Sequence, residues 1–205
     1  MAPAPPRSEP VAAVRPLVPE RFGDVERIFA GKGCSFARGC WCMAYRLSGR
    51  IEPPAGVAKA AFLRSELLRL AAATPAPGLV GYDGEGAPVG WVSLGPREDF
   101  RRLARSRVMK PVDERPVWSI VCFVVPAPFR RRGVARALLR HAIGFARENG
   151  AEALEGYPVD TPEPPAPAFL WHGTGDLFRG AGFVEIARRT PGRPVMRLDP
   201  LPRDL

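Results

Sequence analysis

The chain has 205 residues, 46% hydrophobic and 25% charged, a size and balance suited to one globular domain with its own core. Its net charge is +9, carried mostly by arginine because Lys32, Lys59 and Lys110 are the only lysines, and that balance attracts polyanions: nucleic acid, phosphorylated cofactors or acidic proteins. No apolar run approaches the roughly 18 residues of a membrane span, Met1 to Pro10 lacks a signal-like apolar stretch, and four cysteines in this length make no disulfide framework, so a soluble cytoplasmic protein is expected.

Residues 1–10 are Pro-rich and are expected to form a disordered tail, with a single domain over 11–198 and a short C-terminal tail at 199–205. "VAAVRPLV" (11–18) reads as a first strand. A helix over 19–30 follows, with Phe22, Val25 and Phe29 at helical spacing and Pro19 able to start it. "GKGCSFARGCWCMAYRLSGR" is Gly-rich and reads as irregular. A second helix fits 55–73, where Ala60, Leu63, Leu67, Leu70 and Ala71 share a face.

Beyond Pro75 and Pro77 the pattern turns to strands. "GLVGYDGEGAPVGWVSLG" is a hairpin, with Asp83, Gly84 and Gly86 in its turn. "REDFRRLARSR" reads as a charged connection. "VWSIVCFVV" (117–125) is apolar on both faces, the mark of a central strand stopped by Pro126 and Pro128. A long helix then carries Val134, Leu138, Ala142 and Phe145 as its core stripe, with Gly150 at its C-terminal cap. Residues 151–159 form another strand and "DTPEPPAPA" a Pro-rich lid or wall. A short helix capped by Thr174 and ended by Gly180 and Gly182 precedes two last strands, "VEIARR" and "PVMRL". The predicted order is β-α-α-β-β-β-α-β-α-β-β. Trp91 and Trp118 fall in the core, and His141 on the surface of the long helix.

Arg130, Arg131 and Arg132 crowd the start of that helix, where free N–H groups and the macrodipole are already positive, so an anion is expected there. A strand, a tight turn and a glycine opening a helix bind phosphates in general. The nucleotide signatures G-x-G-x-x-G and G-x-x-x-x-G-K-S/T are absent. Arg130-x-x-Gly133-x-Ala135 stands in their place.

This segment resembles the Arg/Gln-x-x-Gly-x-Gly/Ala motif of the GNAT superfamily of N-acetyltransferases. The element order and the later "FRGAGF", similar to the superfamily's Y-x-x-x-G-F, agree with it. The resemblance spans residues 11–198 and is strongest over 117–183. It implies an α/β (α+β) GNAT fold: a central, mixed, twisted sheet of about seven strands with helices on both faces. "GCWCM", "LEGYPVD" and "WHGTGDLF" resemble an actinobacterial-looking subgroup.

The resemblance implies acetyl-CoA as donor, with its pyrophosphate wrapped by amides from Arg131, Arg132, Gly133, Val134, Ala135 and Arg136. Gly133 and Ala135 would keep the approach clear, and the arginine side chains, Arg130 included, would add charge. Phe123, Val124 and Val125 would pair with the pantetheine arm. The strand ending at Val125 would splay from the one starting at Ala151, and an amide near Val125 would polarise the thioester carbonyl. Phe178 would pack on the pantetheine or in the core. The implied activity is N-acetyl transfer to a primary amine by direct attack in a ternary complex, the amine belonging to a small molecule or a protein lysine. The superfamily's frequent dimers leave a homodimer open.

The usual base position, six residues before the strand's last valine, is Ser119, and the usual acid position is Phe178. Neither can serve as the usual group does. Ser119 could orient a water, and replacement candidates are Glu155, Tyr157, Asp160 and His172. Cys34, Cys40 and Cys42 lack zinc-module spacing, so no metal is expected. Trp41, Met43 and Tyr45 would wall an acceptor pocket or pack in the core. Glu155, Asp160, Glu163 and Asp176 near the presumed mouth would favour a cationic amine. An acyl-CoA-binding sensor without turnover and a basic nucleic-acid-binding domain are the competing classes. The second lacks a reading helix and the aromatic-basic interleaving of RNA-binding sheets.

Overall fold

The computed structural model describes residues 10–47, 51–163, 165–166 and 169–202. Of the predicted tails at 1–10 and 199–205, residues 1–9 and 203–205 lie outside the described residues. The strands are β1 (Ala13–Pro16), β2 (Gly78–Tyr82), β3 (Pro88–Pro96), β4 (Trp118–Val124), β5 (Leu154–Gly156), β6 (Val184–Thr190) and β7 (Arg193–Leu198). The helices are α1 (Phe22–Ala30), α2 (Ser35–Cys40), α3 (Lys59–Ala71), α4 (Arg101–Ala104), α5 (Val134–Glu148) and α6 (Gly175–Arg179). One seven-stranded sheet runs β1-β2-β3-β4-β5-β7-β6. Only β4 and β5 are parallel neighbours; the other pairs are antiparallel.

The predicted order is complete except for two short helices, α2 and α4. Both are too short and too poor in helix signals to stand alone. Packing holds them: Ala37 of α2 and Leu103 of α4 are fully buried, and Phe100 and Met109 anchor the chain around α4. The charged texture of 97–107 hides those anchors. The second helix starts at Lys59 rather than at 55, and Ala60 stays exposed while Leu63, Leu67 and Ala71 turn inward. The predicted strand over 151–159 keeps only Leu154–Gly156 as ladder.

Two cores lie on the two faces of the sheet. One gathers α1, α2 and α3 over Val121, Cys122 and Val124 of β4. The other packs α5 and Phe178 of α6 over Ile120 and Phe123. Val121 and Cys122 are adjacent yet face the same core, which breaks the alternation of a regular strand. The cause is a bulge: Cys122 opposes Ser93 and Ile120 opposes Leu94, leaving Val121 unopposed. This kink turns the end of β4 away from β5. Parallel pairing joins Trp118, Ser119 and Ile120 to Leu154, Glu155 and Gly156 and then stops. The two strands separate past Ile120, and the fork opens toward the N-terminus of α5.

Candidate active site

At the end of β4 the chain makes a tight turn into α5. Arg131 has φ +59° and Gly133, the residue just before the helix, has φ +89°. Two left-handed residues so close together curl the backbone so that its N–H groups converge. The amides of Arg131 through Arg136 donate to no backbone carbonyl among the described residues, and the first intrahelical bond is Ala137 N–H to Gly133 O, 3.0 Å. Glycine at 133 is required by its positive φ; its missing side chain clears little, since a Cβ there would meet only Pro10, at 3.3 Å.

A cavity of about 620 Å³ opens at this turn. Phe123, Val125, Arg130, Arg131, Gly133, Val134, Ala135 and Arg136 line it, facing Leu170, Trp171 and Leu177. Pro165 and Ala166 of the Pro-rich loop form part of the far wall. Three of the named cradle residues are not on the lining: Val124 points into the α1–α3 core, Arg132 faces solvent, and Phe178 is fully buried. The Arg130 side chain is spent on the protein, donating to Val125 O (2.8 Å) and Gly33 O (2.7 Å), so it braces the turn. Arg131 and Arg136 remain exposed and without an ion pair among the described residues.

The fork holds a segment of the chain itself. Phe123 N–H donates to Trp171 O at 2.6 Å, and on the other side Val159 N–H donates to Gly173 O and Gly175 N–H to Val159 O, both 3.0 Å. The Val125 amide, two residues along the same edge, has no backbone acceptor among the described residues. Phe178 closes the apex. Its ring meets Phe123 edge-on at 6.2 Å and lies so close to Gly156 that any side chain there would overlap it.

Ser119, Tyr157 and Glu155 come together as one buried chain beside the fork. The Tyr157 hydroxyl donates to Glu155 Oε2 (3.0 Å) and therefore accepts from Ser119 Oγ (2.8 Å). Burial, reinforced by the Glu155 charge, pushes the Tyr157 phenol far above its usual range, so it stays protonated. Glu155 also takes Arg197 Nη2 at 2.6 Å and Arg97 Nη1 at 3.5 Å, and Arg197 is clamped in turn by Asp113 at 2.7 and 2.9 Å. The carboxylate is fully buried and committed to two guanidiniums. Its geometry is that of an internal counter-ion.

His172 is brought to Tyr45 across 127 positions of sequence, with Tyr45 Oη and His172 Nε2 3.0 Å apart. Nδ1 is buried without a hydrogen bond among the described residues. Burial first, and Arg193 second, bring the imidazole pKa down to about 3, so the ring is neutral near pH 7. Trp41 and Met43 turn inward instead, Trp41 stacking on Phe22 with centroids 6.0 Å apart. Asp160 is held by Arg179 (2.8 Å) and Arg188 (2.7 Å), which depress its carboxyl to about 2, and Asp176 also binds Arg179 (2.7 Å). The acids expected to attract a cationic amine are thus largely neutralised by arginines. The four cysteines are free, and among the described residues no group of three His, Cys, Asp or Glu could hold a metal ion.

A model of the Acetyltransferase (GNAT) family matches residues 44–171. The chain belongs to the GNAT acetyltransferase family. Solved structures agree on the GNAT fold. Arylalkylamine N-acetyltransferase 2 from Aedes aegypti is 13% identical, with 91% of this chain and 98% of that one covered at a TM-score of 0.54. The histone acetyltransferase HPA2 and related acetyltransferase from Corynebacterium glutamicum is 21% identical, covering 95% and 99% at 0.51. The GNAT domain of S. lividans PAT is 18% identical, covering 91% and 89% at 0.51. No curated protein matches the chain.

Within this GNAT domain the pairing of Tyr45 with His172, the two arginines on Glu155 and the Trp171 carbonyl in the fork were not foreseen from sequence. No local pattern encodes them. The His172 environment has a measurable consequence. An imidazole neutral in the folded state but ionisable when unfolded binds fewer protons folded, so stability falls as pH drops from about 6.5 toward about 3. The urea midpoint of His172→Gln is expected to fall less steeply than that of the native protein between pH 6.5 and 4. Equal slopes would show that the ring is not held neutral.

Proposed function

We propose that this GNAT domain transfers an acetyl group from acetyl-CoA to a primary amine, by direct attack with donor and acceptor bound together. The observation that carries the reading is the run of unpartnered amides from Arg131 to Arg136, curled by two left-handed residues beside exposed arginines. That arrangement suits the pyrophosphate of coenzyme A. The apolar wall of Phe123, Val125, Leu170 and Leu177 suits its pantetheine arm.

The donor, once bound, supplies an activated thioester. The chain's own groups do the rest. The free Val125 amide is placed to polarise a carbonyl at the fork, and the Phe123 amide becomes available when the Trp171 carbonyl leaves it. A ring held near pKa 3 cannot retain a proton at neutral pH, so His172 with Tyr45 positions the amine, and the amine gives up its proton to solvent. Ser119 and Tyr157 brace the sheet behind the fork. With Phe178 sealing the usual acid position, the thiolate leaves without a positioned acid, and orientation supplies much of the rate.

Free-thiol release from acetyl-CoA across a panel of amines tests the reaction. Tight acetyl-CoA binding with no amine-dependent release would leave a sensor, a reading that the sealed Phe178 and Ser119 positions favour. Displacement at the fork has its own readout. The Trp171 ring touches Phe36, Phe169 and His172, so its emission changes when the segment moves. Trp171→Phe is expected to abolish most of the fluorescence change that acetyl-CoA induces in the native protein. An undiminished change in the variant would show that the segment stays in place.

A further inference from the structure

On the far side of Tyr45 lies a second cavity, of about 840 Å³. Its apolar floor includes Leu47, Leu63 and Met109. Its rim carries Lys59, Arg102, Arg105 and Arg107, and among the described residues no aspartate or glutamate lines it. None of these four cations forms a salt bridge among the described residues, and Arg102 lies 5.7 Å above the Tyr45 ring. Arg97 and Arg197, by contrast, share the Glu155 carboxylate. Four like charges on one concave wall repel one another unless an anion arrives.

The Tyr45–His172 pair lies between this cavity and the one at the turn into α5. Tyr45 lines the first space, and the neighbours of His172 in the chain, Trp171 and Gly173, line the second. We infer that this cavity is the acceptor site and that it selects a small amine bearing an anionic group, a carboxylate or a phosphate, on an apolar body. The anion sits among Arg102, Arg105 and Arg107 while the amine reaches past Tyr45 toward the fork. This rests on the acetyl-transfer reading and reverses the cationic preference expected from sequence. A charge-assisted contact of this kind separates matched ligands by about tenfold or more.

Matched acceptors test it through thiol release: L-phenylalanine against 2-phenylethylamine, and phosphoethanolamine against ethanolamine. The anionic member of at least one pair is expected to have a kcat/KM at least tenfold higher, through KM. Which pair responds separates carboxylate from phosphate. In the double variant Arg105→Glu, Arg107→Glu the preference is expected to vanish while acetyl-CoA affinity, read by calorimetry, is unchanged. Equal use of neutral amines, preferred acetylation of a lysine peptide, or a preference that survives the double variant overturns the inference. Should no amine turn over, calorimetry of N-acetyl-phenylalanine against N-acetyl-2-phenylethylamine reads the same selection at equilibrium, and equal or absent binding of the anionic compound overturns it. Loss of acetyl-CoA binding in the native protein would instead sink the donor reading.

Discussion

Gly133→Glu is expected to weaken acetyl-CoA binding at least 100-fold in calorimetry, about 2.7 kcal/mol. Two effects add. The backbone at 133 has φ +89°, where an L side chain costs roughly 1–2 kcal/mol, so the turn relaxes and its amides lose their common focus. The carboxylate also places a negative charge where the proposed ligand carries its own. Gly133→Ala separates the two, because it strains the turn without adding charge. It should lose roughly tenfold, matching the strain alone. The exposed position keeps both variants folded, which circular dichroism checks. Unchanged affinity in Gly133→Glu would place the donor elsewhere on the molecule.

The turn into α5 was legible in sequence because its determinants are local. A both-sides-buried strand, a glycine that must adopt positive φ and the amphipathic stripe of α5 all lie within one stretch of chain. The same holds for Thr174, which caps α6 by accepting from Leu177 N–H at 3.3 Å. What sequence left open depends on who meets whom across the sheet. Glu155 looked like a free carboxylate near a fork, and its arginines come from positions 97 and 197, on the turn after β3 and on β7. Tyr45 sat in a stretch without periodicity, and only the fold gives it His172. The run "RRLARSR" was visible as charge, but its alignment along a cavity wall required α4, whose single turn is fixed by buried Leu103.

Glu155→Gln is expected to lower the free energy of unfolding by about 3–5 kcal/mol, read as a lower urea midpoint. The amide keeps the shape of the carboxylate and can still accept from Tyr157, so packing barely changes. The charge balance does change: among the described residues Arg97 loses its one carboxylate, and Arg197 keeps only Asp113. Both guanidiniums are buried or nearly so, with 9% and 11% of their side chains exposed, and little water reaches them to compensate. This outcome separates an internal counter-ion from a general base. A base would lose turnover while the midpoint held, whereas a counter-ion loses the midpoint first. Arg197→Met together with Glu155→Gln should recover part of the loss, because removing both charges leaves less to desolvate than removing one. A stable Glu155→Gln protein with collapsed turnover would return Glu155 to the reaction and require its clamp to open when the acceptor binds.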